Sequence, residues 1–124
     1  MTMCGTLEYM SPEVMNCTRA SAASDMWSLG VIAYLMVSGG MSPFWDNSRY
    51  RIMSRILKCD YNFDQPNFAL VSNDATDFIS KLLVTTPEDR NTASHCLQHT
   101  WLTHIGLSYG LRYQSFKYSC NTLE

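Results

Sequence analysis

The 124-residue sequence lacks the features that mark several large classes of protein. Nine lysines and arginines stand against eleven aspartates and glutamates, so no basic excess indicates a nucleic acid or an anionic membrane as partner. No apolar run reaches the roughly 20 residues that a membrane-spanning helix needs. The first residues show no basic segment followed by an apolar one, so we expect no signal peptide. These absences favour a cytoplasmic globular domain.

Motifs that carry catalysis or bind metals are also absent. There is no glycine-rich phosphate loop, no G-x-S-x-G nucleophile elbow and no H-E-x-x-H zinc motif. His95 and His99 have a spacing that can hold a metal on a helix, but no third ligand is evident, and surface histidines are the favoured alternative. The five cysteines are widely spaced, which is typical of buried reduced thiols rather than of a disulfide framework. The residues alone therefore predict no metal site.

One long apolar stretch, residues 26–37, is present instead. It is apolar at nearly every position, so it predicts a central helix buried on all sides, and its length favours a helix over a strand. Ser24 or Asp25 is the predicted N-cap, and Gly39-Gly40 ends the helix. Because an unpaired buried charge is costly, Asp25 is expected to accept hydrogen bonds from a nearby backbone turn.

Apolar spacing predicts further helices before and after an irregular packed loop at 59–71. A short turn begins at Pro12, one helix begins near Asn47, one is capped by Ser72 or Asn73, and one by Thr92. The residues predicted to face inward, together with Trp27, Trp45 and Trp101, are Ile52, Met53, Ile56, Leu57, Phe78, Ile79, Leu82, Leu83, Ala93, Cys96 and Leu97. The predicted fold is mainly α.

Six motifs occur in one order along the chain. They are Cys4-Gly5-Thr6, Ser11-Pro12-Glu13, Asp25 to Gly30, Ser42-Pro43-Phe44, Arg90, and His99 to Leu102. This series closely resembles the C-terminal half of the large lobe of a eukaryotic protein kinase. The local sequence resembles that of the calcium/calmodulin-dependent group, and within it most nearly the myosin light chain, titin-like and death-associated kinases. The implied fold is the helical C-lobe portion without the N-terminal β lobe, over residues 1–102, followed by a regulatory or disordered tail at 103–124.

The resemblance implies a role for particular residues. The implied substrate-binding loop, which receives the residue after a Ser/Thr phosphoacceptor in a protein substrate, consists of Gly5, Thr6, Leu7, Glu8 and Tyr9. Thr6 fits the serine/threonine-kinase pattern, whereas Leu7 stands where proline is commoner. Four further positions have implied structural roles. Glu13 would form a buried bidentate pair with Arg90, Asp25 would hold the catalytic-loop backbone, and Trp27 would pack under the substrate loop.

The resembled family's ATP-gripping, magnesium-binding and catalytic residues have no counterpart in this sequence and would lie before Met1. The implied function is that of one part of an ATP- and Mg²⁺-dependent serine/threonine kinase. Taken alone, this part would neither bind these cofactors nor catalyse phosphoryl transfer. Its main partner would be the missing remainder of the kinase domain, and we expect the chain alone to be aggregated or molten. A non-catalytic kinase-like scaffold is the alternative. Calmodulin binding by residues 108–124 stays open, because this tail is apolar but has only Arg112 and Lys117 as basic residues.

Overall fold

The computed structural model describes residues 7–104, and all regular structure within them is helical. The helices are α1 (Pro12–Met15), α2 (Ala22–Ser38), α3 (Arg49–Leu57), α4 (Asn73–Leu82) and α5 (Ala93–Gln98). Short 3-10 turns lie at Pro66–Phe68 and Pro87–Asp89, and residues 100–104 are again helical. The prediction of a mainly α fold is therefore confirmed. Two parts of the predictions lie outside the described residues. They are Gly5 and Thr6 of the predicted substrate-binding loop, and the predicted tail from residue 105 onward.

The helix starts follow from side-chain capping. Ser48, Ser72 and Thr92 precede α3, α4 and α5, and each side chain accepts a hydrogen bond from a backbone N–H in the first turn. The predicted caps at Ser72 and Thr92 are thus confirmed. Helix α3 begins slightly after the predicted Asn47.

Helix α2 begins earlier than the sequence predicted. Its N-cap is Ser21, whose backbone N–H donates to Ser24 Oγ at 3.1 Å. Ser24 or Asp25 as N-cap is therefore wrong, because the small polar residues before the apolar stretch extend the helix by a turn. The predicted end is confirmed, since Gly39 has the left-handed φ of +76° that favours glycine at this position.

The core forms where α2 packs against α4. Trp27, Val31 and Tyr34 are fully buried on α2, and Ile79 and Leu82 are fully buried on α4. The two helices approach so closely at Gly30 that a Cβ there would lie 2.8 Å from the Cβ of Leu82. The loop at 59–71 covers this core with three rings packed around Tyr34, those of Tyr61, Phe63 and Phe68.

The opposite side of α2 is exposed. Leu29, Ile32 and Met36 are 39%, 44% and 75% exposed, so the prediction of a helix buried on all sides is wrong for residues 7–104. The reason is that the described residues cover α2 from one side only. No helix among them is long and apolar enough to cross a membrane.

Some other residues predicted to face inward are also exposed. They are Leu57, Trp45, Ala93 and Leu97. Helix α5 has only six residues and reaches the core through Cys96, which leaves its neighbours outside. Trp45 lies in the loop before α3, where Phe44 is the ring that stacks on Trp27. The expectation of buried thiols is likewise wrong for Cys17, which is exposed.

We expect the exposed stripe of α2 to prevent the isolated 124-residue chain from behaving as a stable monomer. Burying a large apolar side chain contributes about 1.5–3 kcal/mol, and Leu29, Ile32 and Met36 leave much of this unrealised, against a typical domain stability of about 5–15 kcal/mol. The chain should self-associate in sedimentation and bind an apolar dye. The triple variant L29Q/I32Q/M36Q should reduce both effects, whereas the control L70Q/L97Q, which changes two exposed leucines outside α2, should not. A sharp cooperative melt of a monomer would contradict this expectation.

Candidate functional site

A buried ion pair joins residues that are 77 positions apart in the sequence. Arg90 Nη1 lies 2.8 Å from Glu13 Oε1, and Arg90 Nη2 lies 3.2 Å from Glu13 Oε2. The Arg90 side chain is fully buried and that of Glu13 is 11% exposed. The structure thus brings the two residues together in the bidentate geometry that a planar guanidinium allows and a lysine does not.

The remaining donors of Arg90 bind backbone carbonyl groups. Nη1 donates to Ala23 O at 2.6 Å, and both Nε and Nη2 donate to Val84 O, at 3.1 and 2.8 Å. The guanidinium carbon also lies 5.2 Å from the centre of the Trp27 ring. Arg90 therefore holds three elements together: α1 through Glu13, the first turn of α2, and the residues that follow α4.

The environment of Glu13 keeps it ionised. Burial disfavours the charged form, but hydrogen bonds from Arg90 and from the Glu13 backbone N–H outweigh it and lower its pKa to about 2. Ser24 Oγ, on α2, adds a donor at 3.2 Å from Oε1. The carboxylate is thus bound from both sides and remains charged throughout the physiological pH range.

The residues before α1 are attached to the same face of α2. Ser28 Oγ donates to Tyr9 O at 2.8 Å, and the Met10 N–H donates to Leu7 O at 3.1 Å, which closes a turn. Leu7 is 5% exposed, whereas Glu8 and Tyr9 are half-buried. Of the predicted substrate-binding loop, the structure therefore describes only Leu7 to Tyr9, and it presents Glu8 and Tyr9 more openly than Leu7.

Asp25 lies one turn into α2 and is exposed. Among residues 7–104 no hydrogen bond or ion pair reaches its side chain. It lines a shallow pocket whose other walls include Tyr9, Met10, Val14 and Ser28. The predicted backbone turn that would donate to Asp25 is thus not found in this part of the chain.

Trp27, in contrast, is completely buried beside the ion pair. Its ring stacks on Phe44 with the ring centres 5.4 Å apart and the planes within 9° of parallel. The structure places it in the core of the domain, between Phe44 and the Arg90 guanidinium.

The sequence did not reveal that His99 is a buried structural residue. His99 Nε2 lies 2.6 Å from Asp77 Oδ2 on α4, and the Trp101 N–H donates to His99 Nδ1 at 3.1 Å. Because Nδ1 accepts, Nε2 bears the proton and donates to Asp77. The prediction of a surface histidine is therefore wrong for His99. The only sequence signal for this structural role was that His99 and Trp101 stand in the same motif.

The order of these elements matches a known domain. A family model described as protein kinase domain matches residues 1–102. The chain belongs to the protein kinase family. The resemblance drawn from the six motifs is thereby confirmed, and the family is one of enzymes.

Serine/threonine protein kinases are found among its relatives. The chain is 44% identical over 103 residues to serine/threonine-protein kinase 17A of Oryctolagus cuniculus, and 43% identical over 101 residues to myosin light chain kinase 3 of Mus musculus. These matches cover 83% and 82% of the chain but 26% and 13% of the relatives. The chain therefore spans about a quarter of the length of the first relative, and less of the second.

Solved structures agree with this family. The autoinhibited serine kinase domain of the giant muscle protein titin superimposes with a TM-score of 0.75 at 41% identity, covering 78% of this chain and 30% of that one. The kinase region of twitchin from C. elegans gives 0.75 at 39% identity, covering 79% of this chain and 17% of that one. Both are consistent with the calcium/calmodulin-dependent kinase-like group.

The ion pair predicts a characteristic double-mutant result. We consider a hybrid kinase, in which residues 1–102 replace the matching segment of myosin light chain kinase 3. In this hybrid, Glu13→Leu or Arg90→Leu alone should lower the free energy of unfolding by about 3–5 kcal/mol, because each strands a buried charge. The double variant should cost less than the sum of the two, as urea unfolding would show. Strict additivity would mean that the two residues do not interact.

The lowered pKa of Glu13 predicts how the pair responds to acid. The unfolded chain binds the proton near pH 4.5 and the folded chain near pH 2, so this contribution is complete above pH 4.5 and is lost as the pH falls towards 2. Between pH 7 and 3, the stability advantage of the hybrid kinase over its Glu13→Gln variant should shrink by about 2 kcal/mol. An advantage that is constant over this range would contradict the assignment.

Proposed function

We propose that this chain forms the substrate-side part of the large lobe of an ATP-dependent serine/threonine protein kinase. The observation that carries the proposal is the fork between Arg90 and Glu13, which fixes the segment before and within α1 onto α2. Such a fixed segment can hold an extended peptide in one position, which phosphoryl transfer requires because it depends mainly on positioning and electrostatics. The substrate is a protein with a Ser or Thr acceptor.

The substrate loop would run from Gly5 to Tyr9. Its described part is held by the Ser28 hydroxyl at Tyr9 O, while Glu8 and Tyr9 keep part of their surface open. The Glu8 carboxylate offers a negative charge to a basic residue of the substrate. Thr6, through its hydroxyl, would contact the catalytic loop of the complete kinase.

The exposed stripe of α2 supports a partner that supplies the rest of the lobe. Asp25, Leu29, Ile32 and Met36 recur at three- and four-residue spacing and therefore lie along one side of the helix. An acid at the start of an apolar stripe suits a partner that offers backbone N–H groups beside apolar side chains. We propose that the remainder of the kinase domain occupies this side.

The chemistry of transfer is assigned to that remainder. Among residues 7–104 no group of three or more His, Cys, Asp or Glu side chains is placed to hold a metal ion. They also contain no glycine-rich loop with a lysine that would suit the phosphates of ATP. The proposal therefore gives this chain substrate binding and positioning, and gives ATP and Mg²⁺ to the complete enzyme in the cytoplasm. Calmodulin is not part of it, because the tail has few basic residues.

The hybrid kinase tests this proposal directly. We expect the hybrid, supplied with ATP and Mg²⁺, to phosphorylate a serine peptide that myosin light chain kinase 3 accepts, measured by transfer of labelled phosphate. The 124-residue chain alone should transfer none. Arg90→Lys, which keeps the charge but loses the fork, should reduce kcat/KM of the hybrid more than about ten-fold, because misplacement by about 1 Å can cost a factor near 100.

The control is Arg19→Lys, an exposed conservative change outside the ion pair, which should leave the rate unaltered. A hybrid that is folded and binds the peptide yet transfers no phosphate would refute the proposal. It would favour the alternative, a non-catalytic kinase-like binding module.

A further inference from the structure

Positive charge is concentrated on one short stretch of this chain. Four of its nine lysines and arginines, at positions 49, 51, 55 and 58, fall within ten residues that contain no acid, although the chain as a whole has a formal charge of −2. This stretch is α3 with its C-cap residue, Lys58. The apolar contacts of α3 come from Ile56 and its partly buried neighbours, so the exposed cations of this helix are not part of the core.

Three of the four cations share one side of α3. Arg51, Arg55 and Lys58 are spaced by four and then three residues, which places them in a line on the helix surface. The Arg51 side chain is 69% exposed and Lys58 is exposed, so both are available to a partner. Arg55 is 26% exposed and donates to Trp45 O and Pro43 O, so it fixes the loop before α3 rather than facing outward.

The carboxylates around α3 neutralise only part of its positive charge. Asp46 lies 3.7 Å from Arg51, and Asp60 lies 3.9 Å from Arg55, both at the limit of an ion pair. In the part of the chain that the structure describes, neither Arg49 nor Lys58 is paired with an acid. Within the line, Lys58 therefore keeps its positive charge unpaired, and Arg49 adds a second unpaired charge to α3.

Large aromatic side chains stand next to these cations. Trp45 and Tyr50 are 57% and 81% exposed, and Trp45 is attached through its carbonyl to Arg55. Helix α3 also contacts α1, the element that follows the substrate loop. A substrate segment that extends from that loop can thus reach α3 without leaving the surface of the domain.

We propose that the exposed surface of α3 and of the loop before it, defined by Arg51, Lys58, Trp45 and Tyr50, docks an acidic segment of a protein substrate that also has apolar residues. Charge complementarity supports an acidic occupant, and the exposed aromatics support a peptide with apolar side chains. A nucleic acid fits less well, because binding a chain of phosphates takes an extended basic surface, whereas this chain has a formal charge of −2. The inference rests on the proposed kinase function and adds the class of substrate sequence that this surface selects.

The test compares two substrates of the hybrid kinase. Both contain the same serine acceptor peptide and a flexible linker, followed either by Glu-Glu-Leu-Glu-Glu-Phe or by the same extension with every Glu changed to Gln. We expect a KM about five-fold lower for the acidic peptide at low salt, because a few exposed charge pairs contribute about 0.2–1 kcal/mol each. The preference should fall as salt rises, since the Debye length shortens.

Charge reversal on α3 locates the preference. Arg51→Glu and Lys58→Glu should each bring the ratio of the two KM values close to one, whereas Arg19→Glu, with the same change of charge outside α3, should keep the ratio. Equal KM values for the two peptides in the unmodified hybrid would overturn the inference. So would a ratio that Arg19→Glu abolishes as fully as Lys58→Glu does.

Binding separates this inference from the proposed function. Fluorescence anisotropy of the labelled peptides reports docking even if the hybrid transfers no phosphate. Preferential binding of the acidic peptide, lost in Lys58→Glu, would support docking even if inactivity of the hybrid refuted the proposed function. An oligonucleotide that displaced the acidic peptide at equal charge concentration would overturn the inference in favour of a nucleic-acid surface.

Discussion

The buried fork between Glu13 and Arg90 constrains the rest of this structure. Arg90 has no exposed side-chain surface, and its N–H groups bind a carboxylate from α1 and carbonyl groups at Ala23 and Val84. A buried ion pair repays its desolvation only when the remaining donors are satisfied, as they are here. Its consequence is geometric rather than simply stabilising. Three segments that are distant in sequence must keep one arrangement for the pair to form.

That arrangement explains why a four-residue helix can hold its place. Helix α1 is too short to be stable by its own hydrogen bonds, and it buries little apart from Pro12. It is held through the Glu13 carboxylate, which accepts a hydrogen bond from the Ser24 hydroxyl. The segment just before it is held by the Ser28 hydroxyl, which donates to Tyr9 O. The position of α1 is therefore set by polar contacts to α2, whereas the position of α2 is set by apolar packing on α4. The rigid part of the domain is apolar, and the segment proposed to meet the substrate is attached to it by hydrogen bonds.

Sequence reasoning worked where a single local rule decides the outcome. Capping residues and apolar spacing gave α4 and the start of α5, and ordered motifs gave the kinase family and the partners Glu13 and Arg90. It was wrong where the outcome depends on what lies on the other side of a residue. Leu29 and Leu97 are as apolar as Leu82, and only the three-dimensional arrangement decides that Leu82 is covered. His99 was misjudged for the opposite reason, since Asp77 lies 22 positions away and no local pattern connects them.

The two sides of α2 differ in how far they are buried. One side carries Trp27, Val31 and Tyr34 and meets α4 so closely at Gly30 that no side chain fits between them. The other side carries Asp25 and Ile32 to the surface, although the helix composition is that of a buried helix. The apolar composition of α2 and the exposure of its residues therefore disagree along one side of the helix. An exposed apolar patch with a polar residue at its edge is typical of a docking surface. This chain matches only 26% and 13% of the length of two of its relatives. A helix composed to be covered from both sides, and covered here from one, therefore agrees with the proposal that the remainder of the kinase domain lies on its other side.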